Sequence, residues 1–187
     1  KIRKKIILFA NTLWFLDKFK YELIEELLNN YQIECLYLRN GPAFDTQRID
    51  SLVSRGVIFS RFSFRFLLNY IFQSFNSYSK LKKIKLYRLL VFTISPIILS
   101  SIFFFNLRSS TIIVLEGLGR VFSSNLIIFR IFKKFILVFY KILFKNIKNV
   151  VVLNYSDSTY LTELGIVSIN KINVIPGTGI NTEYLDG

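Results

Sequence analysis

A carboxylate, two glycines and an arginine lie together in the stretch "VLEGLGRVF", directly after the apolar run "STIIV". Gly117 and Gly119 permit backbone conformations and close approaches that a side chain would prevent. Amides at the start of a following helix would face an oxygen-rich ligand. Glu116 repels a phosphate, whereas Arg120 attracts one. Two interpretations stay open: a ligand-binding turn, or a tight strand-to-helix turn with an exposed pair of Glu116 and Arg120.

A second group of candidate side chains follows the apolar run "KKIILFA" near the start of the chain. As a binding loop, this segment would offer the indole ring of Trp14 for stacking and the compact ammonium group of Lys20 for an anion. In the alternative interpretation, Trp14 packs in the core and Lys20 is a surface charge. The candidate binding residues of the loop are Asn11, Thr12, Trp14 and Lys20.

Other turns carry weaker signals. Thr93 and Ser95 would hydrogen-bond a ligand, although a serine beside Pro96 is also an ordinary turn residue. Asn154 and Asp157 are predicted to cap a short helix rather than to bind a ligand.

The composition excludes several kinds of chemistry. The sequence contains no histidine and one cysteine, so it offers no histidine base and no cysteine cluster for zinc. We expect no metal site. Cys35 lies in "IECLYL", where a buried apolar role fits its neighbours. Its isolation is compatible with a reducing, cytoplasmic setting.

Lys and Arg outnumber Asp and Glu by 25 to 12, which gives a net charge of +13. Such a charge favours anionic partners, namely lipid headgroups, nucleotide diphosphates or nucleic acid. Part of it is explained equally well by a lysine-rich genome. We expect no nucleic-acid partner, because the basic residues are scattered over several elements without a nucleic-acid-binding signature.

Apolar runs of strand length alternate with segments of helical periodicity, which predicts an α/β fold. The expected architecture is a Rossmann-like parallel sheet with helices on both faces. Helices are predicted behind an N-cap at Asp17, from Leu67 to Tyr78, from Ser124 to Lys145, and in "SDSTYLTELG" with Gly165 as its stop. Strands are predicted in "KKIILFA", "IECLYL", "VIF", "YRLLVF", "STIIVL", "NVVVLN" and "INVIP".

Leu89–Leu107 holds 19 residues without a charge. Because about 20 apolar residues span a bilayer, this segment is a transmembrane candidate. A buried strand "YRLLVF", a turn "TISP" and a buried helix "IILSSIFFF" explain the same segment equally well.

Five turns at the predicted strand ends, taken in order, resemble the N-terminal domain of the retaining glycosyltransferases of family 4, which have the GT-B fold. The resemblance is to the bacterial subgroup that extends lipid-linked oligosaccharides and surface polysaccharides. It rests on "ANTLWFLDKFKYELI", "FTISPII", "EGLGRVF", "VVVLNYSDSTYL" and "INVIPGTGINTEYL". The departures are Lys20 for Arg, Ser95 for Lys, Glu116 for Thr, Arg120 for Tyr and Asn181 for Asp.

The resemblance implies that residues 1–187 form a single acceptor-side domain and that the donor-binding C-terminal domain is absent from them. It implies a nucleotide-sugar donor, no other cofactor, and a hinge at Gly177 and Gly179. Glu116 would contact sugar hydroxyls or pair with Arg120, which would leave Arg120 and the amides for negative charge. Catalytic residues are not assigned. If these residues are the complete protein, we expect no transferase activity from it alone.

The resemblance also favours the strand, turn and helix interpretation of Leu89–Leu107. It implies binding of a sugar or a lipid-linked sugar through Asn11, Thr12, Trp14, Lys20, Thr93, Glu116, Gly117, Gly119 and Arg120.

Two basic and aromatic segments, Arg61–Lys85 and Arg130–Lys148, suit an anionic inner membrane leaflet. The expected location is therefore cytoplasmic and peripheral, on the inner face of the cell membrane. The alternative for each segment is an ordinary helix with a solvated cationic face. The alternative function is a non-catalytic, membrane-binding fragment of a truncated gene.

Overall fold

Strands and helices follow one another along the chain in the computed structural model, which describes residues 4–63, 87–103, 110–117, 135, 137–138, 140–145 and 147–177. Within these residues the strands are β1 (Lys4–Thr12), β2 (Tyr31–Arg39), β3 (Ile58–Arg61), β4 (Tyr87–Phe92), β5 (Thr111–Leu115), β6 (Asn149–Val152) and β7 (Ile172–Val174). The helices are α1 (Leu13–Leu28), α2 (Thr46–Ser54), α3 (Ile94–Phe103) and α4 (Tyr155–Glu163), and a 3-10 turn covers Ile169–Lys171.

The described strands form one seven-stranded parallel sheet in the order β3-β2-β1-β4-β5-β6-β7. The register of β1 with β2 joins Ile6 to Ile33, and that of β5 with β6 joins Val114 to Val151. Along the chain, β1, β2 and β3 follow one another toward one edge of the sheet, and β4, β5, β6 and β7 follow one another toward the other edge. Doubly wound sheets have this arrangement. The predicted α/β fold, a Rossmann-like parallel sheet with helices, is confirmed.

The core follows the apolar runs of the sequence. All five residues from Ile6 to Ala10 are buried, so β1 is covered on both faces, as its continuous apolar run predicts. In β5 the residues alternate between buried and half-buried positions, with Ile113 and Leu115 among the buried ones. Burying one such side chain stabilises the fold by about 1.5–3 kcal/mol.

The described residues fall into two compact units, one ending at Leu90 and one beginning at Val91. In the first, β1, β2 and β3 pair in parallel, and α1 packs on β1 and β2. In the second, β5, β6 and β7 pair in parallel, and α4 packs on β6 and β7.

Helix α1 begins earlier than predicted, so the N-cap expected at Asp17 is wrong. Thr12 caps the helix instead, because its Oγ1 atom accepts a hydrogen bond of 3.0 Å from the Phe15 N–H. Asp17 lies inside the helix and is fully buried.

The uncharged segment from Leu89 onward begins in the sheet, since Leu89 and Val91 are buried residues of β4. The predicted strand is confirmed, and a helix follows it, but it begins at Ile94, so the turn is shorter than "TISP" and consists of Thr93 alone. Residues 104–107 of the segment lie outside the described residues. Pro96 lies in the first turn of α3, where a missing N–H costs no helical hydrogen bond. None of the helices in the described residues is long and apolar enough to cross a bilayer.

The short helix α4 agrees with its prediction. Asn154 accepts a hydrogen bond of 2.7 Å from the Asp157 N–H, and Gly165 follows the helix with a positive φ of 61°. The helix predicted from Leu67 to Tyr78, and the one predicted from Ser124 up to residue 134, lie outside the described residues.

Two buried ionisable groups predict that stability falls in alkaline solution. Burial, with a smaller contribution from the Glu34 carboxylate, raises the pKa of the Cys35 thiol above its ordinary value of 9.0. Burial also raises the pKa of the Tyr140 hydroxyl above 10.0. Once the pH exceeds these ordinary values, the unfolded groups ionise while the folded ones keep their protons. Unfolding then releases protons, and the free energy of unfolding falls by about 1.4 kcal/mol per pH unit for each group.

Urea unfolding at a series of pH values measures this slope. Cys35→Ala should remove the part that begins near pH 9.0, and Tyr140→Phe the part that begins near pH 10.0. A parent and a Cys35→Ala variant with the same slope between these two pH values would contradict the prediction.

Candidate functional site

The turn that follows β1 is fixed by three contacts. Thr12 caps α1 through its hydroxyl, as described above, and it is buried. The Trp14 N–H donates a hydrogen bond of 3.0 Å to the Asn40 carbonyl, which ties this turn to the end of β2. Gly41 has a φ of +88°, and a Cβ atom there would lie 3.0 Å from the Cβ atoms of both Thr12 and Trp14. A side chain at this position would be both strained and crowded, so Gly41 lets the end of β2 pack closely against Thr12 and Trp14.

Trp14 belongs to a cluster of aromatic rings on the first turns of α1. Its ring meets Phe19 edge to face with a centroid distance of 5.3 Å, and Phe15 lies 5.4 Å from the same Phe19 ring. Trp14 is half-buried, so part of the indole stays accessible. Asn11, the penultimate residue of β1, is half-buried as well.

Lys20 is buried, with 5% of its surface exposed, and its Nζ atom lies 5.6 Å from the centroid of the Phe15 ring. The ammonium group therefore lies over an aromatic face, where the ring quadrupole attracts a cation. The alternative of a plain surface charge at Lys20 is wrong.

A network of charged residues behind this turn links α1 to α2. The Asp45 N–H donates a hydrogen bond of 3.1 Å to Oδ2 of the buried Asp17, and Asp45 in turn caps α2. Arg48 reaches Asp17 with Nε at 3.7 Å from Oδ1 and donates a hydrogen bond of 3.1 Å to Glu22. Its guanidinium carbon lies 3.9 Å from the centroid of the Tyr21 ring. These contacts fix the helix that carries Trp14.

Thr93 joins β4 to α3 in a strained conformation. Its φ is +66°, in the left-handed region that a β-branched residue rarely adopts. Among the residues that the structure describes, none hydrogen-bonds the Oγ1 atom of Thr93, which is buried from solvent. Strain of this kind costs about 1–3 kcal/mol and is found at functional sites more than elsewhere.

The turn after β5 holds Glu116 and Gly117. Gly117 has a φ of +106°, while an added Cβ atom would meet nothing within 4 Å. The glycine is therefore needed for the backbone conformation, not for space. Glu116 is half-buried, and its Oε1 atom is shielded from solvent. Gly119 and Arg120 lie outside the described residues, so the pairing of Glu116 with Arg120 stays a prediction.

Of the last two predicted turns, the one at Asn154 and Asp157 is a helix cap, and the one at Gly177 is a change in chain direction. Asn154 and Asp157 are bound to each other at the start of α4, with Asn154 Nδ2 also donating to Asp157 Oδ2 at 3.1 Å. They form a helix cap, as predicted. Gly177 follows β7 with a φ of +82°, a conformation suited to a change in chain direction. Gly179 lies outside the described residues.

The described residues contain no cluster of acidic, cysteine or histidine side chains that would hold a metal ion. Cys35 is buried, and its raised pKa keeps it a thiol, which is a poor nucleophile. What the described turns offer is a set of hydrogen-bonding groups and an aromatic cluster, each at the carboxyl end of a strand.

The fold and these turns define an α/β protein of Rossmann-like architecture. No protein-family model matches the chain. No curated protein matches it.

Sequence reasoning missed Gly41 and the network around Asp17. The stretch "RNGPAFD" is a turn signal that marks the end of β2, but nothing in it shows that Gly41 packs against Thr12 and Trp14. Asp17 and Asp45 are 28 residues apart, and nothing in the sequence pairs them.

Asp17→Asn should lower the free energy of unfolding by about 2 kcal/mol, because it removes a buried charge that binds Arg48 and receives the Asp45 N–H. The matched control is Glu25→Gln, since Glu25 forms an exposed ion pair with Arg55. That variant should change stability by less than about 1 kcal/mol. Urea unfolding of both variants checks the difference, and equal losses would contradict it.

Thr93→Gly should raise the free energy of unfolding by about 1 kcal/mol, because glycine adopts a positive φ without strain. The same change at Thr159, an exposed residue inside α4, should lower it by about 0.5 kcal/mol. The two variants thus move in opposite directions in thermal or urea unfolding. A loss of stability in both would show that Thr93 is not strained.

Proposed function

We propose that this chain is the acceptor-binding half of a glycosyltransferase that transfers a sugar from a nucleotide-sugar to a lipid-linked oligosaccharide or polysaccharide. The observation that carries the proposal is the fixed, half-accessible Trp14 at the carboxyl end of β1. Open α/β sheets bind their ligands at these strand ends. The order of the five turns resembles that of family 4 glycosyltransferases, which supports the same assignment.

An indole ring suits this acceptor because a sugar ring and an isoprenoid chain both present apolar C–H surface. The backbone of Trp14 is held at Asn40 and Gly41 and its ring packs edge to face on Phe19, so binding requires little ordering of its side chain. The positive charge of Lys20 lies in the same aromatic cluster and favours an acceptor that carries a diphosphate. We assign acceptor contact to Asn11, Thr12, Trp14 and Lys20.

The turns of the second unit supply hydrogen-bonding groups suited to sugar hydroxyls. The strained Thr93 places a hydroxyl at the start of α3, and Glu116 places a carboxylate after β5. A carboxylate accepts hydrogen bonds from hydroxyls and repels phosphate, so Glu116 favours the sugar over the diphosphate. Contact of the acceptor with Thr93, Glu116, Gly117, Gly119 and Arg120 belongs to the proposal.

Trp14 provides a direct test, since it is the only tryptophan of the sequence. Titrating the chain with a soluble, short-chain isoprenyl diphosphate that carries one sugar should change the indole fluorescence and reach saturation. Lys20→Gln should weaken this binding about ten-fold through the loss of the positive charge that attracts the diphosphate. The matched control is Lys18→Gln, a half-buried neighbour on the same helix, which should bind as the parent does.

The ligand series separates the parts of the proposal. The free sugar and a nucleotide-sugar should both bind more weakly than the isoprenyl diphosphate sugar, because each lacks a recognised group. A fluorescence response to the nucleotide-sugar alone would contradict the acceptor assignment, and so would the absence of any saturable response.

A further inference from the structure

The described helical residues from 135 to 144 have two apolar faces. One face is buried, with Tyr140, Leu143 and Phe144 packed into the protein and the rings of Tyr140 and Phe144 in edge-to-face contact at 5.1 Å. This packing anchors the helix. An ordinary surface helix would be polar on its other side.

The other side of the helix is apolar and exposed. Phe135, Val138 and Ile142 leave 63%, 57% and 58% of their surface in solvent. Their spacing of three and four residues places them on one helical face. These three residues are called the apolar stripe. Exposed apolar side chains that form a contiguous row mark an interaction surface, whereas single ones do not.

Lysines flank the apolar stripe. Lys141 and Lys145 are exposed and lie along one edge of it at helical spacing, and the exposed Lys148 follows. The sequence from 117 to 156 contains seven Lys and Arg residues and no Asp or Glu. Among the described residues of this stretch, the charged side chains are Lys141, Lys145 and Lys148, all of them positive, which favours an anionic partner.

We propose that the apolar stripe docks on an anionic lipid surface and lies in the plane of the bilayer interface. The stripe extends over about 10 Å of helix at 1.5 Å per residue, far less than the roughly 30 Å of a hydrocarbon core. It is thus suited to shallow insertion. The lysine stems would cover the edge of the stripe while their ammonium groups contact lipid phosphates. This inference is independent of the proposed transferase function.

Docking of a second copy of this chain on the stripe fits less well. An antiparallel two-fold interface through the stripe brings the lysine row of one copy beside that of the other, and like charges repel. An anionic bilayer has the opposite charge and receives apolar side chains. Charge complementarity therefore favours lipid.

Flotation of the full chain with vesicles tests the proposal. The protein should bind vesicles of phosphatidylglycerol and phosphatidylcholine much more tightly than vesicles of phosphatidylcholine alone, and high salt should weaken this binding. Lys141→Gln and Lys145→Gln should each weaken it about five-fold. Phe135→Ser combined with Ile142→Ser should weaken it at least ten-fold. Val53→Ser with Arg55→Gln removes an exposed apolar side chain of α2 and the exposed basic side chain of its C-cap residue, and this control should bind as the parent does.

A fluorescent reporter locates the inserted face. In a Trp14→Phe background, Phe135→Trp should shift its emission to the blue on anionic vesicles and be quenched by lipids brominated in the acyl chain. Tyr155→Trp, at a residue of α4 with 75% of its surface exposed, should show neither effect in the same background. Circular dichroism confirms that each variant is folded.

Three results would overturn the proposal. The first is a stripe variant that binds anionic vesicles as tightly as the parent, and the second is equal binding to neutral vesicles. The third is self-association of the parent in sedimentation without lipid, lost in the stripe variant, which would make the stripe an interface between copies.

Discussion

Burial of β1 on both faces is the constraint on which the rest of the structure depends. Its backbone is paired in the sheet and its side chains from Ile6 to Ala10 are covered, so no polar group fits along its length. Polar side chains are admitted only where the strand ends. Thr12 and Trp14 occupy that position, and the end of β2 fixes them through Asn40 and Gly41. Because the sheet is packed in this way, the side chains that could bind a ligand lie in the turns at the strand ends.

The described turns are not relaxed connections. The positive φ of Thr93 costs free energy that an ordinary turn residue would avoid. Asp17 and Lys20 lie inside α1, and burying their charges costs desolvation free energy. Contacts with the Asp45 N–H and Arg48 compensate Asp17, and the Phe15 ring compensates Lys20. The sheet, with its large buried area, offsets these costs. Local destabilisation at strand ends beside a stable core is the pattern that binding sites show, and it supports a functional interpretation of these turns over a purely structural one.

The sequence predicted the described strands well because each is an apolar run bounded by polar or glycine-rich residues. It also predicted the cap at Asn154, since capping is decided within a few residues. The sequence-based prediction was wrong where residues far apart in the chain determine the local structure. The start of α1 was misplaced because Asp17 looks like an N-cap, while its true partner is the amide of Asp45 in another element. The positive φ of Thr93 has no signature at all, because threonine is an unusual residue for that conformation.

The positive charge of the chain is distributed unevenly along the sequence, and this uneven distribution argues against a lysine-rich genome as its only cause. A lysine-rich genome would spread the excess along the whole sequence. Instead, residues 117–156 carry a net charge of +7 out of +13, although they are 40 of the 187 residues. The same stretch contains the helix whose outward face is apolar. In the described part of this stretch, the exposed Lys141 and Lys145 lie on the same helix as the exposed apolar residues. Base composition accounts for neither the clustering nor the apolar stripe, whereas the proposed docking on an anionic surface would account for both.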